Sequence, residues 1–459
     1  MRAPGMTIFN AKCLSKVAFH RKFGLLSSRQ LSMVPRHCRW PRCKSREERT
    51  VTAQSLLRRP YVRRFASAVA LASALLSGAA TAQELKLGAI VPSSGPFAEW
   101  GRTNTAALKM LEDDINAAGG VNGAKLKIVI YDDAAQPAQA ANALRKLAGD
   151  DKVLAVAGPL TSSACEVTFP VANQLKISVM SQASSKPGVA AANRPWAFRN
   201  TIDEAVLAKT SVPYYKDTFK VKSVGIIYDA KDAVSTSIAT RIFPGVMEAS
   251  GITVVNKDKP LSFNTGELDV SAQVTALKAL NVDGVVIGAD YSQAVTVIRE
   301  MKRQGFAKPV IGGTPLISSA ILKAAPEVPI VAPATYYAGM KGDRVEPFTT
   351  KLTPILRKTS GLPPEIEPSM YDANITEIIQ MYVEAAKKAG IANKPETLDA
   401  DREKIKDFVT GIQGFQGWGG PISFNKDGDA VKAFYIVQGE KGAWSSKVRG
   451  CSSPDGKGC

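Results

Sequence analysis

Histidine is absent from most of this chain. Its only two histidines are His20 and His37, so the part that begins at Gln83 contains none. Catalysis by a serine or cysteine nucleophile usually depends on an imidazole base, and the common zinc sites use imidazole ligands. We therefore expect no enzyme, no catalytic residues and no metal site. A hydrolase acting through Asp or Lys is the enzymatic alternative, although no carboxylate pair stands out.

Glycine motifs that bind phosphate are absent as well. No GxGxxG follows a predicted strand and no GxxxxGK[ST] occurs. The chain therefore lacks the glycine-rich loops that bind phosphate in dinucleotide and P-loop nucleotide sites. We expect no cofactor. Cysteines are few. Cys165 is predicted to be a lone thiol in a helix, whereas Cys451 and Cys459 could close a small loop in an oxidising compartment.

Positive charge is concentrated at the start of the chain. The formal net charge is +18, but residues 1–82 hold 16 Lys and Arg against two acidic residues, which leaves 43 against 39 for the rest. A nearly neutral body does not support a nucleic-acid partner, because polyanion binding needs a basic surface.

A secretory signal peptide is predicted over residues 58–82. Arginines precede the apolar run 65–76, which is too short to span a bilayer of ~30 Å, and Ala80-Thr81-Ala82 supplies small residues for cleavage. We interpret residues 1–57 as disordered, or as a stretch upstream of the true translation start. An organellar transit peptide is the alternative, because this leader is rich in Arg and Ser and poor in acids. We predict a periplasmic protein.

The stretch 85–133 is typical of a βαβ unit. An apolar run at 85–91 stops at a Pro- and Gly-rich loop, helical spacing follows as far as Gly119-Gly120, and a second strand lies near 126–130. Parallel strands need such a crossover helix.

The same alternation continues in two series, one as far as about residue 200 and one that restarts at Ser223. We therefore predict an α/β fold with two lobes, each a doubly wound parallel sheet covered by helices on both faces. Ligands of such sheets bind beyond the carboxyl ends of the strands, so the loops at those ends are the candidate site.

Five short motifs have an order and spacing that resembles the branched-chain amino-acid binding proteins, the solute receptors of ABC importers. They are Ser94-Gly95-Pro96, Trp100-Gly101, Asp114-Ile115-Asn116, Gly119-Gly120 and Tyr131-Asp132-Asp133. The agreement extends to about Val437. The resemblance implies the type I periplasmic binding fold, in which three crossings between the lobes form a hinge, here near Asn200, Ala332 and Gly414.

On this basis lobe I comprises residues 83–201 with about 333–413, and lobe II comprises residues 202–332 with about 414–448. Residues 449–459 are predicted to be a flexible tail. The resemblance implies that a small ligand closes the hinge and that a membrane permease recognises the closed form. A periplasmic sensor or chemoreceptor module for the same ligand class is the alternative. We expect a monomer.

Two serine-rich loops are candidates for binding a ligand carboxylate. The first follows a strand and begins a helix, whose N-terminal N–H groups attract anions, although ordinary capping is the alternative. The second follows the next strand, where a solvated turn is the alternative. The resemblance implies that both bind one carboxylate. The candidates are Thr161, Ser162, Ser163, Ala183, Ser184 and Ser185.

Trp100 lies in a loop flanked by Gly and Pro, and its ring would form a flat apolar wall over a ligand side chain. Packing between the loop and the core is the alternative. The resemblance implies an aromatic residue against the ligand at this position.

The side of the cleft contributed by lobe II departs from the pattern of the family. The resemblance implies a tyrosine where Ala233 stands, and a glutamate for the ligand's ammonium where Thr314 stands. A buried ammonium without a carboxylate costs several kcal/mol. Either Asp290, beside Tyr291, replaces that glutamate, or the ligand is a plain aromatic or aliphatic carboxylate. Asp290 could instead cap a helix that begins at Ser292.

Overall fold

The computed structural model describes residues 84–453, 455–456 and 459. The predicted signal peptide and the stretch before it lie outside these ranges. Within them, no helix combines the length and the hydrophobicity that a membrane span requires.

A first sheet is formed by the strands β1 (Glu84–Val91), β2 (Lys125–Asp132), β3 (Ala155–Ala157), β4 (Ser178–Ser181) and β5 (Ala197–Arg199). All are parallel, in the order β2-β1-β3-β4-β5. Ala89 of β1 pairs with Ile130 on one side and with Ala157 on the other. Because β1 has neighbours on both edges and helices on both faces, its sequence is almost continuously apolar.

Helices cover both faces of this sheet. Their bounds are Ala98–Ala117, Pro137–Gly149, Ser162–Leu175, Met370–Lys388 and Leu398–Thr410. The first, fourth and fifth pack on one face, in a core that includes Leu108, Ile378 and Ile405. The second and third pack on the other face through Leu144 and Phe169.

A second sheet is formed by β6 (Ser223–Asp229), β7 (Thr253–Val254), β8 (Leu261–Phe263), β9 (Gly284–Gly288), β10 (Val310–Gly312), β11 (Ile330–Ala334), β15 (Ala433–Glu440) and β16 (Ala443–Cys451). Its order is β16-β15-β11-β10-β9-β6-β7, with β8 paired to β6. Strands β6 to β11 pair in parallel, whereas β15 is antiparallel to β11 and to β16. The centre is parallel as predicted, and one edge is antiparallel.

Helices also cover the two faces of the second sheet. Their bounds are Glu204–Phe219, Ala233–Ser237, Phe243–Ala249, Ser271–Ala279, Tyr291–Arg303 and Ser319–Ala324, and a further helix, Val345–Lys358, precedes Met370–Lys388. One hydrophobic cluster joins this lobe to the first, since it includes Trp100 and Met110 together with Val285 and Val297.

A small antiparallel sheet changes one predicted crossing. It consists of β12 (Phe415–Gln416), β13 (Pro421–Phe424) and β14 (Ala430–Val431). Ile422, Phe424 and Ala430 are buried in the core of the first sheet. The third crossing therefore lies at Lys432, not near Gly414 as predicted, because these apolar side chains keep the hairpin on lobe I. The other lobe boundaries stay predictions.

The predicted flexible tail is ordered over its first residues. Residues 449–451 belong to β16, which pairs along β15, and a disulfide joins Cys451 to Cys459. The two cysteines thus close the small loop that the sequence allowed, and the predicted flexible tail does not begin before Ser452.

The three connections between the sheets meet on the helix Met370–Lys388. Lys432 Nζ donates to Asn200 Oδ1 at 3.1 Å, to Asn374 Oδ1 at 2.9 Å and to Glu377 Oε2 at 3.0 Å. Thr335, directly after β11, lies 3.5 Å from Asn374. Two α/β lobes with parallel sheets, joined by three chain segments, confirm the predicted fold class.

Candidate functional site

The two lobes face each other at the carboxyl ends of their strands. A cavity of about 30 Å³ lies between them. Five predicted site residues line it, namely Trp100, Thr161, Ser162, Ala183 and Asp290. This volume holds only one or two water molecules and the lobes are in contact around it, so a larger ligand requires them to separate.

Trp100 lies between the lobes, in the first turn of the helix Ala98–Ala117 and not in a loop as predicted. Its side chain is only 4% exposed. The ring lies 5.8 Å from that of Phe97, 4.9 Å from Tyr291 of the opposite lobe and 4.8 Å from Tyr371. The ring therefore lines the cavity and also packs against aromatic neighbours. The predicted wall and the alternative of packing against the core are thus compatible. Its contact with a ligand stays a prediction.

The first serine-rich loop is a helix N-terminus. Thr161 is the N-cap of the helix Ser162–Leu175, and its side chain accepts from the N–H of Ala164 at 3.2 Å. The N–H groups of Ser162 and Ser163 belong to the first turn, where donors have no partner within the helix. Capping is thus observed, and it leaves two backbone donors at the positive end of the helix dipole for an anion.

The second serine-rich loop is held by Ser181. The N–H groups of Ala183 and Ser184 donate to Ser181 Oγ at 3.3 Å and 3.0 Å. Ser184 Oγ lies 2.9 Å from Ser162 Oγ, so the two loops are joined by a hydroxyl pair. Two backbone donors of this loop are therefore already occupied, and the hydroxyl groups are its better candidates for contact with a carboxylate.

Ser185 and Thr314 meet a carboxylate that the sequence did not indicate. Glu204 Oε1 accepts from Ser185 Oγ at 3.0 Å, from the N–H of Thr314 at 2.9 Å and also from Thr314 Oγ1. Burial raises the pKa of Glu204 to about 6, and these hydrogen bonds oppose that shift. Glu204 therefore connects the serine loop of lobe I to the position where the resemblance implies a glutamate.

Asp290 is both a helix cap and an acid of the cavity. Its Oδ1 accepts from the N–H and the Oγ of Ser292 at 2.7 Å and 2.6 Å, and the helix begins at Tyr291, one residue earlier than predicted. Its Oδ2 is buried without a hydrogen-bond partner. Burial raises the pKa of Asp290 to about 6, although the bonds from Ser292 oppose the shift. The cap thus uses one oxygen of Asp290 and leaves the other without a partner, and contact of Asp290 with a ligand stays a prediction.

Three polar residues of the site were missed from the sequence. Asp232 and Tyr371 line the cavity, and Glu204 lies behind it. Asp232 follows the exit of β6, so the rule that selected the serine loops could also have found it. Glu204 and Tyr371 lie in the first turns of helices whose positions depend on contacts distant in sequence, and no local pattern marks them.

The charge of the cavity is one-sided. Among the described residues that line it, Asp232 and Asp290 are the ionisable acids, and none is Lys or Arg. No group of three or more His, Cys, Asp or Glu in the described part of the chain could hold a metal ion. The acids therefore have no metal site and no lining cation to neutralise them.

Comparison with known proteins supports these observations. A family model described as "Periplasmic binding protein" matches residues 84–443. The "Leu/Ile/Val-binding protein" of Escherichia coli (strain K12) is 28% identical over 247 residues, which are 54% of this chain and 65% of that protein. An "Amino acid binding protein" of Pseudomonas aeruginosa is 29% identical over 224 residues, which are 48% of this chain and 58% of that protein. The chain thus spans about three fifths of the length of these relatives.

Solved structures match over more of the chain. A leucine binding protein from Thermotoga maritima has a TM-score of 0.68 at 20% identity, covering 81% of this chain and 99% of that one. A solute binding protein of an ABC transporter from R. palustris, in complex with benzoate, has a TM-score of 0.69 at 17% identity, covering 82% and 99%. At these identities the likeness shows the fold alone.

Proposed function

The chain belongs to the periplasmic binding protein family, and we propose that it is the extracytoplasmic solute-binding receptor of an ABC importer. It binds a small carboxylate or amino acid between its lobes and presents the closed form to a membrane permease. It acts as a monomer, reaches the periplasm through a cleaved signal peptide and performs no covalent chemistry.

One observation carries this proposal. The exits of β3, β4 and β9 bring Ser162, Ala183 and Asp290 to a single cavity between lobes that are joined by three chain segments. A binding cleft at a hinge is the arrangement that domain closure requires. Relatives named for binding leucine, isoleucine and valine support the ligand class.

The size of the cavity indicates how binding proceeds. About 30 Å³ cannot hold an amino acid, so the lobes of the liganded protein are farther apart than here, and they enclose a ligand by closing around it. The cavity walls Trp100 and Tyr371 and the loop at Ser162 then contact the ligand together only in the closed form. A ligand shifts the hinge by its difference in affinity for the two forms, which is what a permease would detect.

A thermal-shift screen of the purified protein tests the proposal. Amino acids, aromatic acids and short aliphatic acids are each added, and a ligand at 100 times its dissociation constant should stabilise the protein by ~2.7 kcal/mol. Trp100→Ala should weaken any positive response, whereas Trp196→Phe, in the core on the far face of the first sheet, should not. A response confined to uncharged compounds would show that the serine loops do not bind a carboxylate.

A further inference from the structure

A second groove between the lobes, outside the cavity, is lined mainly by cations. Its volume is about 180 Å³, and Lys186, Lys231 and Arg241 line it. Lys186 lies in the loop after β4 of the first sheet. Lys231 follows β6 of the second sheet, and Arg241 belongs to the helical segment Ile238–Ile242 after it. The groove therefore places cations from both lobes around one space.

The protein itself neutralises only part of this charge. The ammonium of Lys186 is paired with Glu166 of its own lobe. Neither Lys231 nor Arg241 forms an ion pair with any residue that the structure describes. Like charges that meet across an interface repel each other, so this groove is a place where an anion gains energy from both lobes.

Asp232 is the acid that lines the groove, as far as the described residues show. Its Oδ2 is already engaged, because it accepts from the N–H of Ser235 at 2.8 Å and from Ser235 Oγ at 2.6 Å. Burial also raises the pKa of Asp232, which favours the uncharged form and weakens its repulsion of an anion. Asp232 therefore opposes the cations only in part.

A buried hydroxyl lines the same groove. Ser237 is 2% exposed, and its Oγ has no hydrogen-bond partner. Thr168, Ser178 and Ser211 also have hydroxyls without a partner, but none of them lines this groove. Ser237 is distinguished by its position beside cations, where its hydroxyl can donate to an oxygen that they bind.

We propose that this groove binds a small free oxyanion of the phosphate or sulfate class, held by Lys186 from one lobe and by Lys231 and Arg241 from the other. Ammonium and guanidinium groups form charge-assisted hydrogen bonds with such oxygens, and the hydroxyl of Ser237 supplies a further donor. The site goes beyond the proposed function, because it is separate from the cavity and does not depend on which ligand the cavity binds.

An anion in this groove would tie the lobes together. It relieves the repulsion that Lys186 meets when Lys231 and Arg241 approach, and it contacts both lobes only while they lie this close. An anion that binds one arrangement of the lobes more tightly than another shifts the hinge by that difference in affinity. The oxyanion therefore favours the arrangement in which the lobes are in contact.

A thermal-shift titration of the purified protein with sodium sulfate and with sodium phosphate tests this inference. Sodium chloride keeps the ionic strength constant, because screening alone changes the interactions of surface charges. The midpoint should rise along a saturable curve with a dissociation constant of about 1 mM. Sulfate and phosphate also stabilise proteins by exclusion from their surface, but that effect involves no binding site and does not saturate.

Variants that remove one charge assign the site and test whether both lobes contribute. Lys231→Met and Lys186→Met should each weaken sulfate binding about tenfold, because each loses one charge-assisted contact. Lys302→Met is the control, because it removes the same charge on lobe II. Lys302 pairs with Glu327 and lies roughly 16 Å along its helix from Tyr291 at the cleft. This variant should bind sulfate as tightly as the unmodified protein.

The outcomes are separate from those of the ligand screen. A response that does not saturate, or unchanged affinity in Lys231→Met, would overturn the inference. A loss of affinity in Lys231→Met with none in Lys186→Met would overturn a site shared by the two lobes. Arg241→Met repeats the test on lobe II if Lys231→Met does not fold. None of these results bears on the proposed function, which the amino acids and carboxylic acids of the screen decide.

Discussion

The hinge and the cleft of this protein both bury ionisable groups, but only the hinge pairs them. Lys432 and Glu377 are both buried and form an ion pair of 3.0 Å. Arg199, fully buried at the end of β5, pairs with Asp203 at 3.0 Å and with Asp429. These residues belong to the first and third connections between the lobes and to the helix on which they meet.

The cleft has the opposite balance. Asp290 and Glu204 are 3% and 1% exposed, burial raises the pKa of both, and no ion pair with Lys or Arg is formed by either in the described chain. The buried charges at the hinge are therefore paired with cations, whereas these two acids at the cleft are not.

The largest loss of stability is expected when the ion pair of the hinge is broken. Lys432→Met removes the cation and leaves Glu377 buried and unpaired, so the free energy of unfolding should fall by about 3–5 kcal/mol. Urea denaturation followed by circular dichroism measures this. Lys447→Met is the matched control, because Lys447 pairs with Glu440 at the surface and should cost at most about 1 kcal/mol. Equal losses in the two variants would mean that the hinge pair has no special role.

At Asp290, in the cleft, a substitution is expected to stabilise the protein instead of destabilising it. The pKa of Asp290 is raised from 3.8 to about 6 in the folded protein, so the folded state holds this proton more tightly than the unfolded chain does. Its contribution to stability is therefore greatest below pH 4 and is lost as the pH rises from 4 to 6. Asp290→Asn should match the unmodified ligand-free protein at pH 4 and exceed its unfolding free energy by about 2 kcal/mol at pH 7.

Denaturation curves of both proteins across that pH range provide the test. If the variant is no more stable than the unmodified protein at pH 7, Asp290 is not destabilised by burial, and the comparison between hinge and cleft fails.

Affinity should follow the same ionisation. If the ligand is an amino acid whose ammonium contacts the ionised form of Asp290, its affinity should be constant above pH 7 and fall as the pH drops through 6, by up to about tenfold per unit. The ionisable groups around the cavity are Asp232, Glu204, Tyr291 and Tyr371, and burial raises the pKa of each of them. Affinity measured by titration calorimetry between pH 5 and 8 checks this, and tighter binding at pH 5 would contradict it.

The smallest effect is expected at Thr314. Thr314→Val removes the hydroxyl that donates to Glu204 Oε1 but keeps the backbone N–H bond, so stability should fall by about 1 kcal/mol. Thr275→Val, at an exposed helix position on lobe II, should stay within about 0.5 kcal/mol of the unmodified protein. Thermal denaturation compares the two.

The strands and the loops between them were predictable because a local sequence pattern, such as an apolar run or a glycine pair, indicates each of them. The apolar run of β1 ends at Val91 as predicted, and Gly119-Gly120 follows the first helix with φ angles of 97° and 74°, which few other residues adopt. The predicted resemblance to the branched-chain amino-acid binding proteins is confirmed by the relatives found. Rules about strand exits then selected Trp100, Thr161, Ser162, Ala183 and Asp290, which all line the cavity.

The parts that were not predictable depend on distant contacts. The third crossing was expected near Gly414, but Ile422 and Phe424 bury against lobe I and move it to Lys432. Glu204 becomes a cleft residue only because folding brings Thr314, more than a hundred positions away, to its carboxylate. From the sequence, Asp290 could be either a helix cap or a partner of a ligand ammonium. The structure shows that Oδ1 caps the helix and that Oδ2 has no hydrogen-bond partner.

The proton balance of binding tests the central claim most directly. Titration calorimetry at pH 5.5, in two buffers that differ in ionisation enthalpy, counts the protons exchanged when the tightest-binding amino acid is added. If its ammonium pairs with Asp290, binding ionises that carboxyl and should release roughly 0.5 to 1 proton, and Asp290→Asn should abolish most of this release. No exchange, or an uptake of protons, would show that Asp290 does not ionise when the ligand binds and would contradict this account of the cleft.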